Sequence, residues 1–215
     1  KENFTPIYAG AVSLFVKDTT KISKYRNCIT VYGNTDLKNI YKLSYKNIYL
    51  EKNLIESGSK LYVNKFLKFE NINPSDIIEI HNRPNYFHLI HSKKKKQKII
   101  LYFHNDPLTM TGSRSVTDRT KLLSNTAKII FNSHWSRKRF MEDIPGLHIN
   151  SEKMTVIYQS TSQTKVNISN KKKWITFVGK LNRAKGYDLF GKAVLKILNR
   201  YKDWKAIVIG DEARA

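Results

Sequence analysis

Short apolar runs alternate with segments of helical period along most of this chain. The runs that predict β-strands most clearly are 76–80, 98–103, 128–131, 154–158, 174–178 and 206–209, and the last of these is predicted to be a buried strand. Helices are predicted at about 85–92, after a cap at Ser115 with Asp118 three residues on, after a cap at Ser133, and from Gly186 to about Tyr201. Apolar strands that alternate with amphipathic helices are typical of a parallel sheet covered on both faces, so the sequence predicts an α/β fold.

The first 75 residues carry the same pattern less regularly. They predict a helix from Ala11 to about Lys24, a strand at Cys28–Tyr32, an edge strand near Ile48–Leu50, and a helix from about Ser59 to Glu70. The last of these helices places three aromatic residues on one face, at 62, 66 and 69, which favours a role in the core over a platform for stacking bases.

A change in composition divides the chain. Residues 159–173 are polar and lysine-rich, so we predict one domain over 1–160, a linker over 161–173 and the first βαβ unit of a second domain over 174–215. That unit opens with the strand Trp174–Val178, which runs into a basic turn with Lys180 and Lys185 before the helix at Gly186. Cations between a strand end and a helix start can hold a polyanion, although any such turn in a lysine-rich protein contains lysines.

The net charge of +22 favours anionic partners, or else reflects a lysine-rich composition throughout. Cys28 is the one cysteine of the sequence, which excludes an intrachain disulfide and a cysteine-rich zinc site. No apolar run reaches the roughly 18 residues that would span a bilayer, so we expect any membrane contact to be peripheral. The lysine runs at 93–96 and 171–173 are either solvated loops or contacts to anionic lipid.

Polar side chains follow the predicted strands, at the edge where parallel sheets bind their ligands. They are His81, Arg83, His104, Asn105, Asp106, Ser133, Lys180, Lys185 and Asp211. His104 is the preferred candidate for catalysis, with a hydrogen-bonded structural histidine as the alternative. Because His81, His104 and Asp106 lack the spacing of a recognisable ligand set, we expect no metal.

The order of these motifs resembles that of GT-B glycosyltransferases of the family 4 type. The motifs are Tyr8-Ala9-Gly10-Ala11, Glu79-Ile80-His81-Asn82-Arg83-Pro84, Tyr102-Phe103-His104-Asn105-Asp106, Phe131-Asn132-Ser133, Val156-Ile157-Tyr158, and Phe177-Val178-Gly179-Lys180 with Lys185-Gly186. The resemblance implies two Rossmann-like domains that transfer a sugar from a nucleotide-sugar with retention of configuration and without a cofactor or metal. It also implies an envelope glycan or lipid-linked acceptor and a location in the cytoplasm, at the inner face of the membrane.

The resemblance also implies roles for individual residues. His104 would face the reacting sugar, and the donor would be bound by Gly10, Gly179, Lys180, Lys185 and Gly210. The acceptor side or cleft would be formed by His81, Arg83, Asn105, Asp106 and Ser133. The alternative function is a basic α/β module without catalytic activity that binds nucleic acid or an anionic membrane.

The sequence departs from the family pattern at several positions. Ala9 replaces a glycine, and Lys180 replaces an arginine, so a point charge stands where the family has a bidentate fork. The sequence ends before the family's pair of glutamates and lacks most of the first strand. We therefore expect these 215 residues to be a fragment of a longer hexosyltransferase and to show weak or absent turnover alone.

Overall fold

A computed structural model of the chain describes residues 3–6, 9–36, 38, 40–50, 56–146, 151–160, 163 and 165–211. Tyr8 of the first motif and part of the predicted linker lie outside these residues. The chain forms two compact units, Lys1–Ser160 and Thr161–Ala215, called unit 1 and unit 2 below. All of the named sheets are parallel, and helices connect the strands of the four-stranded sheet in unit 1 and of the two-stranded sheet in unit 2, which confirms the predicted α/β fold class.

The described elements have the following bounds. The α-helices are α1 Ala11–Ile22, α2 Gly58–Ile72, α3 Pro84–His91, α4 Val116–Asn125, α5 His134–Met141 and α6 Tyr187–Arg200. The strands are β1 Val31–Gly33, β2 Tyr45–Asn47, β3 Ile77–His81, β4 Lys98–Phe103, β5 Lys128–Phe131, β6 Met154–Val156, β7 Trp174–Val178 and β8 Lys205–Ile209.

The main sheet of unit 1 has the order β3-β4-β5-β6, so strands adjacent in the chain are adjacent in the sheet. Right-handed crossovers between such strands place the connecting helices on one face. That face carries the hydrophobic core, where strand residues such as Leu101 and Ile129 pack with Phe87 of α3, Leu122 of α4 and Phe140 of α5. All five of these side chains are almost completely buried.

The opposite face of the main sheet is polar and aromatic. Because side chains alternate along a strand, Glu79 and His81 of β3 share this second face. Tyr102 pairs in register with His81 across the sheet. Helix α1 covers these residues through Phe15, whose ring centroid lies 6.0 Å from that of His81 and 5.0 Å from that of Tyr102. The second face therefore meets α1 through aromatic rings.

Serine caps begin three of the helices. The Oγ atoms of Ser57, Ser115 and Ser133 accept hydrogen bonds from backbone N–H groups in the first turns of α2, α4 and α5. Each cap satisfies an amide that has no partner inside its helix. The predicted caps at Ser115 and Ser133 are confirmed.

The predictions for the two short strands of the first 75 residues were displaced. Residues 26–28 form a 3₁₀ turn, closed by the N–H of Cys28 donating to the carbonyl of Tyr25, and β1 begins only at Val31. The predicted edge strand near Ile48–Leu50 is β2, which ends at Asn47 and pairs with β1 in a separate sheet. Ile48 is buried just beyond it, so its apolar character reflects the core rather than strand pairing.

Unit 2 consists of the parallel pair β7 and β8 with α6. Phe177 of β7 packs against Tyr187 and Phe190 of α6, with ring centroids 5.3 Å apart in both pairs. The prediction that β8 is a buried strand was wrong, because Val208 and Ile209 are exposed. Within the described part of this unit a single α-helix packs on the pair, so one face of the two strands is left uncovered.

Candidate functional site

Two histidines meet at the carboxyl edge of the main sheet. His81 ends β3, and His104 directly follows the neighbouring strand β4. Nδ1 of His81 lies 2.9 Å from Nε2 of His104, and the ring of Tyr102 stacks on His104 with centroids 4.4 Å apart. His104 is only 7% exposed, since the ring of Phe15 also closes over it at 4.9 Å. The two sequence-predicted histidines therefore form one hydrogen-bonded pair, in which His104 is buried and His81 is partly buried.

Two asparagines hold the backbone of His104. The N–H of His104 donates to Oδ1 of Asn82 at 2.8 Å, and Nδ2 of Asn132 donates to the carbonyl of His104 at 2.7 Å. Asn82 has φ +52, a left-handed conformation that asparagine tolerates better than most residues. Neither asparagine was predicted as a site residue. The sequence does carry a signal, since each one stands in the first position after a strand that flanks β4.

The histidine pair continues into a longer chain of hydrogen bonds. Oε1 of the half-exposed Glu79 lies 2.8 Å from Nε2 of His81, and Nε2 of Gln159 lies 2.6 Å from Nδ1 of His104. The order is therefore Glu79, His81, His104 and Gln159, which we call the relay. Glu79 could have been found from its i−2 spacing to His81, which puts both on one strand face. Gln159 lies 55 residues from His104, and no local pattern marks it.

Burial sets the protonation of the relay. Loss of solvent, and after it the neighbouring His81, lower the pKa of His104 from an ordinary 6.5 to about 3, while Glu79 opposes the shift. The hydrogen bond with His81 lowers the pKa of Glu79. At neutral pH, His104 is therefore a neutral imidazole and Glu79 a carboxylate.

Two of the predicted cleft residues are engaged in local structure. Oδ1 of Asp106 accepts from the N–H of Leu108 at 3.0 Å, which caps a 3₁₀ turn, and Oδ2 pairs with Arg139 at 3.2 Å. Ser133 caps α5, and its Oγ also lies 3.3 Å from Oδ1 of Asn132. These contacts give Asp106 and Ser133 a structural role. A role in ligand binding stays a prediction for both residues.

The remaining predicted residues of unit 1 surround the edge without joining the relay. Nη1 of Arg83 donates to the carbonyl of Asn82 at 2.9 Å, and both Arg83 and Asn105 are exposed to solvent. Gly10 stands before the first residue of α1, with φ −86, a value that any residue adopts. The backbone at Gly10 therefore does not itself require glycine.

The predicted glycines of unit 2 lie where two loops touch. The N–H of Gly179 donates to the carbonyl of Ile209, and the N–H of Leu181 donates to that of Asp211, both at 3.0 Å. A Cβ on Gly210 would lie 1.9 Å from the carbonyl oxygen of Gly179. Gly210 is therefore required for the close approach of the two backbones, whatever ligand this loop takes.

The two predicted lysines of unit 2 are exposed. Lys180 follows β7 by two residues, and Lys185 ends a 3₁₀ turn, where its backbone N–H donates to Oδ1 of Asn182. Gly186, with φ +73, then leads into α6. In the part of the chain that the structure describes, neither lysine has an ion-pair partner, so both charges remain available to an anion.

Metal and membrane sites were sought among the described residues alone. No group of three or more His, Cys, Asp or Glu side chains in these ranges is arranged to hold a metal ion. None of the described helices combines the length and the apolar character needed to cross a membrane.

The fold and this site define an α/β protein with parallel sheets and a hydrogen-bonded histidine pair at a carboxyl edge. No protein-family model and no curated protein matches the chain. Among solved structures, the chain is similar to one described as accessory secretory protein 1, 2 and 3 in Streptococcus pneumoniae, with 12% identity and a TM-score of 0.47. The match covers 71% of this chain and 36% of that chain, so the chain spans about a third of that structure's length. No activity follows from a likeness at this level.

Proposed function

We propose that the chain takes part in transfer of a sugar from a nucleotide-sugar to an acceptor hydroxyl. The observation that carries this proposal is the histidine pair at the carboxyl edge of unit 1, where His104 is fixed by Asn82 and Asn132. The motif resemblance supports the choice of chemistry. The acceptor would be an envelope glycan or a lipid-linked glycan, used at the inner face of a membrane.

In the proposed reaction, the bond from the anomeric carbon to the diphosphate breaks and a bond to the acceptor oxygen forms, with retention of configuration. The acceptor proton passes to the departing diphosphate. Negative charge develops on that diphosphate. Stabilising this charge in the transition state contributes most to the rate enhancement by an enzyme of this kind. Lys180 and Lys185 would supply the compensating charge, helped by the amides at the start of α6.

His104 would act on the sugar by position rather than by charge. Its pKa of about 3 keeps the imidazole neutral at pH 7, so it offers hydrogen bonds without attracting the diphosphate. Arg83 and Asn105, both exposed at the same edge as His104, are the remaining candidates for acceptor contacts in unit 1.

Ligand binding tests this proposal directly. Isothermal titration of the chain with UDP, GDP, UDP-glucose and GDP-mannose is expected to show binding by at least one of them, about tenfold weaker in Lys185→Ala, a loss of about 1.4 kcal/mol. The matched control is Lys192→Ala, which removes one exposed lysine from the body of α6 and is expected to leave binding unchanged. Equal affinities for the two variants would contradict the role of Lys185.

The competing function predicts a different pattern of binding. A basic module for nucleic acid would bind random duplex DNA with an affinity that falls steeply as salt rises. Such binding, together with no response to any of the four nucleotides, would overturn the sugar-transfer proposal.

A further inference from the structure

The relay has one arrangement of donors and acceptors that satisfies every contact when each imidazole carries a single proton. The carboxylate of Glu79 only accepts, so Nε2 of His81 carries a proton and donates to it. Nδ1 of His81 is then a lone-pair acceptor, and it faces Nε2 of His104 at 2.9 Å. Nε2 of His104 must therefore carry the proton, which leaves Nδ1 of His104 as an acceptor. The amide N–H of Gln159 donates to this Nδ1 at 2.6 Å.

Every ring nitrogen of the histidine pair is therefore occupied by a protein partner. His104 is buried beneath Tyr102 and Phe15, whereas Gln159 is an exposed residue beyond β6. In the described hydrogen bonds, the amide of Gln159 contacts His104 alone. If the amide of Gln159 lost this contact, water would take its place. His81 and Glu79, in contrast, are fixed in position because both belong to strand β3.

We propose that Glu79 and His81 are positioning residues that fix the tautomer of His104, and that Gln159 occupies the one nitrogen through which His104 can meet a ligand. A ligand must displace Gln159 to reach Nδ1, and it must present a hydrogen-bond donor, because Nδ1 holds a lone pair. A hydroxyl satisfies this condition, whereas an ionised carboxylate oxygen places one acceptor against another. The tautomer follows from the geometry, and the identification of the hydroxyl with that of a sugar rests on the proposed function.

The tautomer can be measured in the free protein by ¹⁵N–¹H correlation spectra of the histidine rings at pH 7.5. We expect His104 to be protonated at Nε2 and bare at Nδ1 in the wild type. Glu79→Gln is expected to yield a mixture of the two tautomers, because an amide accepts or donates, and Glu79→Asp is expected to restore the single form. A purely structural role for Glu79 would alter stability and leave the ring nitrogens unchanged. Protonation at Nδ1 in the wild type would overturn the assignment.

The displacement of Gln159 is tested with methyl α-glucoside and with sodium acetate at equal ionic strength. The Nδ1 resonance of His104 is expected to shift saturably with the glucoside, with a dissociation constant at least threefold lower in Gln159→Ala than in the wild type. Gln163→Ala, which removes another exposed glutamine, is the matched control and should behave as the wild type does. A response to acetate, or none to the glucoside in Gln159→Ala, would refute the displacement.

The two proposals fail separately. If no nucleotide binds but the tautomer and the glucoside response are as expected, the sugar-transfer proposal falls and the relay remains. If nucleotides bind through Lys185 but Nδ1 of His104 is protonated, the relay inference falls alone.

Discussion

Acid should destabilise unit 1 through His104 well before the carboxylates titrate. The folded protein holds this imidazole with a pKa of about 3, whereas the unfolded chain has the ordinary value of 6.5. Below pH 6.5 the unfolded state therefore binds a proton that the folded state does not bind. The contribution of His104 to stability is complete above that pH and is lost as the pH falls toward 3.

The size of the effect follows from the two pKa values. Between pH 7 and pH 5 the proton taken up by the unfolded state alone costs about 2 kcal/mol of unfolding free energy. With a urea dependence of about 2 kcal/mol per molar, this would lower the unfolding midpoint by about 1 M. The titration of Glu79 does not overlap the range from pH 7 to pH 5. Because the pKa of Glu79 is lowered in the folded protein, its contribution to folding stability is lost only below pH 4.5.

The assay is urea unfolding followed by far-ultraviolet circular dichroism at pH 7, 6 and 5. His104→Gln removes the titrating group, so its midpoint should move by about 1 M less than that of the wild type over the same range. His134→Gln changes an exposed histidine at the start of α5 and should keep the wild-type slope. If the urea midpoints of the wild type and of His104→Gln changed equally with pH, the argument that burial holds His104 neutral would be refuted.

Four further substitutions test other contacts, each by thermal or urea unfolding. Gly210→Ala forces a Cβ to within 1.9 Å of the Gly179 carbonyl oxygen and should cost about 3 kcal/mol or more, whereas Gly191→Ala, in open space within α6, should stabilise by about 0.5–1 kcal/mol. Asn132→Ala removes the donor to the His104 carbonyl and should cost about 1–3 kcal/mol; an unchanged midpoint would show that water replaces it. Arg119→Met leaves the carbonyls of residues 113, 114 and 142 without their buried donor and should cost about 3 kcal/mol, and a loss below about 1 kcal/mol would contradict its structural role.

The sequence predicted best those strands whose apolar run has a clear end. The predicted bounds of β4, β5 and β7 agree with the structure, because in each strand a mainly apolar run stops at a polar residue or glycine. The strand predicted at Cys28–Tyr32 was displaced because β-branched residues there were weighed without the turn at Arg26–Cys28. The burial of β8 was mispredicted because an apolar sequence does not reveal how many neighbours cover it.

The candidate site was predictable only where topology alone brings residues together. His81 and His104 were found because neighbouring parallel strands end at the same edge, and the structure places them in contact. Gln159 was missed because its contact with His104 depends on the path of the chain after β6, which no periodicity encodes. Asp106 illustrates the reverse case, since an aspartate before a proline caps a turn as readily as it binds a ligand.

The net charge of the chain does not by itself orient unit 1 on a membrane. The lysine run 93–96 joins α3 to β4, so it lies at the amino end of β4, whereas His104 lies at the carboxyl end. The six residues of β4 separate these ends by roughly 20 Å, at about 3.3 Å per residue. Two of these lysines are also used within the unit, because Lys93 donates to Asn64 and Lys94 to the carbonyl of Glu70.

A membrane bound through this run would therefore meet the edge opposite the histidine pair. Two of the exposed side chains at the carboxyl edge are aromatic, Trp135 at the start of α5 and Tyr158 just beyond β6, where His134 contacts its ring. Tryptophan and tyrosine suit the boundary between lipid and water because one end of each ring system is apolar and the other polar. For a lipid-linked acceptor to reach His104, contact has to come from this aromatic edge, and the lysine run then contributes only diffuse attraction, which salt screens.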